Sequence, residues 1–250
     1  MRTATAEAME QTWEESFAAQ ITDQSYNTAP VEALVRTASY YLRSRYTPAQ
    51  MRHLSFLEMG CGAGPNLVWL AEKGIEVSGI DISPTALRLC EQNLRRPRLR
   101  DRVGKLVQGS VTEVPFPDGS FDGIFESCVF QHLSRADRES AFGEARRLLK
   151  PGGLFVGYML DRGHTVFRQK KAAQLADDPG SLMLQDRRSG YYLTNIGLSH
   201  FFSREEYFNL LKGFSVIDPC LTTYYLPKED AERRGYGEYL QSMWVVYAVK

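Results

Sequence analysis

A chain of 250 residues can bury a full core as one α/β domain with appendages, and its 43% hydrophobic and 24% charged content excludes wholesale disorder or a fibrous repeat. Thirty Lys and Arg balance thirty Asp and Glu, so the basic excess of a nonspecific nucleic-acid binder is missing and a small ligand becomes the default expectation. The start, MRTATAEAMEQTWEESF, has no apolar core of the secretory kind, and the longest apolar run, LFVGYML, is too short to span a bilayer, so a cytoplasmic protein without a membrane partner is expected. Cys61, Cys90, Cys128 and Cys220 form no CxxC pair, which argues against a zinc site or a disulfide framework and for reduced thiols.

Residues 1–50 read as an N-terminal helical region in which Trp13 and Phe17, four apart, staple a helix. HLSFLEM is a first strand; Pro65 then suits the first turn of a helix through LVWLAEK, which Gly74 closes. IEVSGIDI is the second strand, Pro84 opens a helix through LRLCEQNL, and GKLVQG is a third strand ahead of the turn-rich PFPDGS. The basic run NLRRPRLRDRVGK, residues 93–105, reads as a solvated face rather than a binding patch. FDGIFESCVF is the fourth strand. Ser134 N-caps a helix whose apolar residues Ala141, Phe142, Ala145, Leu148 and Leu149 recur at helical spacing; KPGG stops it before the fifth strand, LFVGYML. Residues 161–200 resist assignment. SREE matches a capping box with Ser203 at N-cap and Glu206 at N3, so YFNLLK is a short helix ended by Gly213, and FSVIDPC and SMWVVYAV supply the last strands. Strands alternating with helices indicate a parallel sheet covered on both faces.

The chemistry is concentrated in LEMGCGAGPNL. Glycines at 60, 62 and 64 let a ligand approach the backbone, but the dinucleotide fingerprint GxGxxG would require glycine at the position of Pro65, and Glu58 would repel a pyrophosphate. The arrangement suits a ligand with an ammonium for Glu58, a carboxylate for the N–H groups at the helix start, and ribose hydroxyls for Asp81 at the end of the second strand. The plain alternative for Asp81 is a turn or capping residue before Ser83 and Pro84.

Together with GIDIS, QGSVTEVPFPDGSFDGIF, SCVFQHL and RLLKPGG, in that order across roughly residues 54–160, the loop resembles the class I S-adenosylmethionine-dependent methyltransferases. The resemblance implies a Rossmann-like, seven-stranded, mostly parallel sheet with helices on both faces and an antiparallel last strand. It implies S-adenosylmethionine as cofactor and no metal, with Glu58, Gly60 and Gly62 around the methionine part, Cys61 contributing backbone and Asn66 supporting the methionine carboxylate. Asp81 would hold the ribose and Ile82 lie beside the adenine. Ser110, where many members carry an acid, and Val111 would border the adenine, and Glu126 would lie near the methionine moiety. Tyr26 would close over the cofactor from the N-terminal side. Residues 1–50 would be a helical cover and 51–250 the methyltransferase domain, with 161–200 a substrate-cap insertion. In that cap Phe167, Tyr191, Tyr192, Phe201 and Phe202 would wall an apolar pocket, and Arg168, Lys170, Lys171, Arg187 and Arg188 would meet an anion; core aromatics and solvated charges are the plain alternatives.

Methyl transfer from a sulfonium is a direct displacement that needs a general base only if the acceptor must lose a proton. His132, in the QHL segment, is the first candidate for that base, with local packing as its alternative; His164 and Asp161 follow. The expected function is methyl transfer to oxygen or nitrogen of a small-molecule acceptor. The alternatives are an RNA or protein acceptor and a non-catalytic S-adenosylmethionine-binding module, with a nicotinamide dehydrogenase further off. No Asn-Pro-Pro-Tyr type motif follows the fourth strand, and Pro219-Cys220 lies too late to resemble a cytosine-C5 nucleophile.

Overall fold

A computed structural model describes residues 4–184, 197–233 and 235–250. The chain opens with helices α1 (Ala4–Thr22), α2 (Glu32–Arg45) and α3 (Pro48–Met51). It then alternates β1 (Ser55–Met59), α4 (Pro65–Glu72), β2 (Glu76–Asp81), α5 (Pro84–Leu94), β3 (Val103–Gln108), β4 (Phe121–Ser127), α6 (Arg135–Leu148) and β5 (Leu149–Leu160). Residues after β5 form α7 (Thr165–Gln169), β6 (Ser181–Leu184) and β7 (Gly197–His200), followed by α8 (Arg204–Leu210), β8 (Ser215–Leu226), α9 (Lys228–Arg233) and β9 (Tyr239–Val249).

Local sequence sets most of these boundaries. Pro65 and Pro84 occupy the first turns of α4 and α5, where a missing N–H costs nothing, and Ser83, Ser134 and Ser203 each cap the following helix by accepting a backbone N–H three residues on. Among the described residues seven strands form one sheet in the order β3-β2-β1-β4-β5-β9-β8, with β9 antiparallel to both its neighbours and the remaining pairings parallel. Two apolar layers cover it: Leu34, Leu67, Leu70 and Phe125 belong to one, and Ile124, Phe142, Phe155 and Val246 to the other. The order reverses between β1 and β4, so their carboxyl ends flank the crevice where ligands enter open α/β sheets.

Charged side chains hold the sheet's other end and its loops. Asp122 on β4 accepts from Ser55 N–H at 2.9 Å and from Lys150 Nζ at 2.8 Å, tying three strands together. Arg147 donates to Val114 O, Phe116 O and Asp118, which fastens the PFPDGS turn to α6. The basic run is spent on the surface: Arg95 pairs with Glu91, Arg96 with Glu72, and Arg102 donates to the carbonyls of Arg52 and Gly74.

Three details depart from the sequence reading. KPGG lies inside β5, which starts as α6 ends; there Gly152 adopts φ +77° and its N–H donates to Lys250 O at 2.7 Å. The last two strands are longer than their apolar runs, at 12 and 11 residues, and β8 passes Pro219 through a register shift between Ile217 and Cys220 because proline has no N–H for the ladder. Within 161–200, β6 pairs antiparallel with β7. Arg138 on α6, 1% exposed, holds this pair from below: it donates to Leu133 O at 2.8 Å and to Asp178 at 2.7 Å, while Ser181 also donates to Asp178. Removing a buried partner leaves its counter-charge uncompensated. Arg138→Ala should therefore cost on the order of 3 kcal/mol, read as a lower urea midpoint.

Candidate functional site

At the carboxyl ends of β1, β2 and β4 lies a cavity of about 490 Å³. Its floor is the glycine loop, fixed to β2 by its own backbone: Gly60 and Cys61 N–H donate to Ile80 O at 2.8 and 3.0 Å, and Gly62 N–H donates to Asp81 Oδ2 at 2.8 Å. Gly60 has φ +80°, and a Cβ there would stand 2.2 Å from Val129 Cγ2. Gly64, at φ +78°, would place its Cβ 2.4 Å from Cys90 Sγ, so it is the glycine that permits close packing of the loop on α5. The close-packing glycine thus stands one residue earlier than in the dinucleotide fingerprint, which leaves Pro65 free to start α4.

Two carboxylates border this floor. Glu58, 2% exposed, accepts from Asn66 Nδ2 at 2.7 Å through Oε1, whereas Oε2 is buried with no hydrogen-bond partner among the described residues. Burial pushes its pKa up to about 8, against the lowering effect of Asn66, with the charges of Asp81 and Glu126 adding to the rise. Asp81 accepts from Gly62 N–H and, at 3.0 Å, from Ser83 N–H; burial raises its pKa while these backbone donors oppose the rise. It is both the turn residue before α5 and a carboxylate in the cavity wall.

The roof comes from the N-terminus. Trp13 and Phe17 of α1 line the cavity, so their i, i+4 spacing marks a face that docks onto the site rather than a staple. Between them Glu14 reaches the start of α5, accepting from Ser83 Oγ at 2.6 Å, from Thr85 N–H at 3.0 Å and from the Thr85 hydroxyl. Burial works against the charged form of Glu14, but these donors outweigh it and lower its pKa. Behind α1, Val31 N–H donates to Asn66 Oδ1 at 2.9 Å.

Known proteins share this architecture. Residues 57–157 match the model of a methyltransferase domain family. A crystal structure of an S-adenosylmethionine-dependent methyltransferase from Methanosarcina mazei aligns with TM-score 0.62 and 25% identity over 79% of this chain and 92% of that one. Over residues 57–157 the chain matches the methyltransferase domain, and its fold is that of a solved S-adenosylmethionine-dependent methyltransferase. An uncharacterised methyltransferase of Synechocystis is 34% identical over 100 residues, 40% of this chain and 44% of the relative. A 24-methylenesterol C-methyltransferase of Oryza sativa is 36% identical over 103 residues, 41% and 28% respectively. The match thus spans less than half the length of these curated relatives.

The cavity lining includes Glu58, Gly60, Cys61, Gly62, Asn66, Asp81, Ile82, Ser110, Val111 and His132. The amide of Asn66 donates to Glu58 and accepts from Val31 N–H, which orients the floor and leaves one N–H of its NH₂ group without a hydrogen-bond partner among the described residues. Glu126, expected near the methionine part, is outside the lining: its Oε1 turns back to accept from Val129 and Phe130 N–H at 2.7 and 3.0 Å, bracing the loop where Cys128 takes φ +60°. Tyr26 is also outside the lining, and Asn27 and Val31 of the same segment take its place.

On the acceptor side, His132 donates from Nδ1 to Leu198 O at 2.9 Å and meets Trp13 edge-on at 5.0 Å between ring centroids. Burial pushes its pKa down to about 4, opposed by the Leu198 bond, which counts against the expected base role. Asp161 accepts from Gly163 N–H and Ser242 Oγ, both at 2.8 Å, and does not line the cavity. Phe167, Phe201 and Phe202 are core residues. Arg168 pairs with Glu238, Lys171 stands 3.9 Å above the Phe167 ring, and neither these two nor Lys170 reaches the lining. Arg187, Arg188, Tyr191 and Tyr192 lie outside the described residues. Sequence reasoning missed Gln131, Gln241 and Met243 as wall residues; the last two come from β9, whose alternation gives no hint of which end faces a ligand.

The raised pKa values of Glu58 and of Glu126, the latter pushed up to about 7 by burial, mean that the ligand-free folded chain holds protons the unfolded chain releases near 4.5. Their stabilising contribution is complete below about pH 4.5 and is lost as pH rises through 7 and 8. Melting temperature should fall between pH 5.5 and 8.5, and Glu58→Gln should gain on wild type across that interval by on the order of 2 kcal/mol, measured by calorimetry.

Proposed function

We propose that the protein transfers a methyl group from S-adenosylmethionine to oxygen or nitrogen of a small-molecule acceptor. The observation that carries this reading is the buried Oε2 of Glu58, an unpartnered acceptor in the cavity wall, two residues from a glycine whose Cβ would collide with Val129. An ammonium satisfies that oxygen and stabilises the charged carboxylate; a pyrophosphate would do neither. Asp81 keeps lone pairs for ribose hydroxyls after holding Gly62 and Ser83, and Ile82, Ser110 and Val111 line the cavity where an adenine would lie.

S-adenosylmethionine supplies an electrophilic methyl on a sulfonium whose charge disappears as the new bond forms. The chain contributes positioning and exclusion of water. Trp13, Phe17, Val129, Leu133, Leu160 and Met243 make the walls apolar, and the weak basicity of His132 supports a mechanism by alignment over one driven by a strong base. The roof formed by α1 supports residues 1–50 as a cover, and His164 brings the 161–200 segment to the wall. A concave cavity of this size, walled largely by apolar side chains, supports a small acceptor over an RNA or protein.

Isothermal titration should show S-adenosylhomocysteine binding with roughly one proton released per Glu58 ionised at neutral pH, the affinity rising with pH toward 8. Glu58→Gln should weaken binding roughly tenfold to a hundredfold and abolish that proton release. Label from S-adenosylmethionine should move to a small product in a metabolite extract. Binding of NAD in preference to S-adenosylhomocysteine would overturn the reading.

A further inference from the structure

The cavity wall beyond Glu58 has a specific polarity. Trp13, Leu133, Leu160 and Met243 are apolar, and among the described residues no Lys or Arg lines the cavity. Its carboxylates, Glu58 and Asp81, belong to the glycine-loop end. An anionic acceptor would find no cationic side chain to pair with in this wall, and once the sulfonium charge has been consumed by transfer the site would hold its negative charge unpaired.

The remaining polar groups of this wall include two histidines, and the backbone dictates the tautomer of each. A carbonyl only accepts, so His132 must carry its proton on Nδ1, 2.9 Å from Leu198 O, and present a lone pair at Nε2. That lone pair is taken inside the wall: Gln131 accepts Leu160 N–H on Oε1 at 3.0 Å, which turns its NH₂ end to His132 Nε2 at 3.2 Å. His164 is the reverse. A backbone N–H only donates, so Val166 N–H, 3.1 Å from His164 Nδ1, requires a lone pair there and fixes the proton on Nε2. His164 is 1% exposed, wedged edge-on between Phe201 and Tyr239, and it lines the cavity. Its Nε2–H has no hydrogen-bond partner among the described residues. Burial pushes both rings down to about 4, so both are neutral near pH 7.

We infer that the methyl acceptor is an uncharged, mostly apolar molecule bearing a carbonyl-type oxygen or ring nitrogen that accepts the Nε2–H of His164, which makes His164 a specificity-determining residue. This rests on the methyl-transfer reading for the word acceptor, but the ligand class follows from the wall itself. His164 is a hydrogen-bond donor in this arrangement, not the base its position suggested, and His132 is a closed part of the wall.

Three naphthols that differ at one position test the inference: 6-acetyl-2-naphthol, which is neutral with a carbonyl, 6-ethyl-2-naphthol, neutral without one, and anionic 6-hydroxy-2-naphthoate. Each is titrated into the full chain with S-adenosylhomocysteine present. The acetyl compound should bind roughly tenfold or more tighter than the carboxylate, and tighter than the ethyl compound by the worth of one buried hydrogen bond, roughly fivefold to tenfold. His164→Asn keeps an oxygen where Nδ1 caps Val166 but puts no N–H at the Nε2 position, so it should erase the acetyl-over-ethyl preference. His164→Gln, whose Nε2–H matches that of the ring, should restore most of it, a pattern that mere loss of packing would not produce. Stronger binding of the carboxylate, an acetyl-to-ethyl ratio unchanged in His164→Asn, or no binding of the acetyl compound would each overturn the inference. Absence of S-adenosylhomocysteine binding in the same titrations would instead count against the methyl-transfer reading, and the naphthol comparison without nucleoside would still decide the ligand class.

Discussion

A carboxylate buried without a counter-charge, Glu58, is the constraint around which the site is arranged. Taking such a group out of water costs several kcal/mol, roughly, and a fold that keeps it must supply compensating donors. Here one comes from Asn66, which is itself held by Val31 N–H, so the floor of the cavity and the N-terminal segment are set in register by a single amide. Asp81 next to it is satisfied by Gly62 and Ser83. The result is a floor held by the backbone of the glycine loop and by Asn66, with Glu58 Oε2 left as a buried side-chain oxygen that has no partner among the described residues.

The two sides of the cavity come from different parts of the chain. The glycine loop, Asp81 and Ser110 fall within the stretch that matches the methyltransferase domain, residues 57–157, and of the acceptor side His132 and Leu133 do as well. Trp13, Phe17, Asn27, Val31, Leu160, His164, Gln241 and Met243 fall outside it. Likeness to the family therefore reports mainly on the nucleoside side, and most of the acceptor side has to be read from this chain's own chemistry.

What was legible in the sequence was what local rules govern. Pro65, Pro84, Ser83, Ser134 and Ser203 announce helix starts because capping needs only a few neighbouring residues, and the register of glycines at 60, 62 and 64 with Glu58 distinguished the ligand class. What was not legible depends on approach between distant segments. Trp13 and Phe17 announce a helical face but not the surface it covers. Glu126 looks like a strand-end carboxylate aimed outward until the left-handed turn at Cys128 brings its own loop's N–H groups over it. β8 outruns its apolar core because half of it is exposed edge, with Leu221, Tyr224 and Tyr225 in solvent, so no alternation marks its length.

Glu14 finally ties the opening of the site to the capping of a helix. It satisfies the first turn of α5, and the residues on either side of it on α1 wall the cavity. The contacts that cap α5 are therefore the same ones that seat the roof, so the placing of an N-terminal helix over the cavity and the start of a helix in the sheet domain are one structural event.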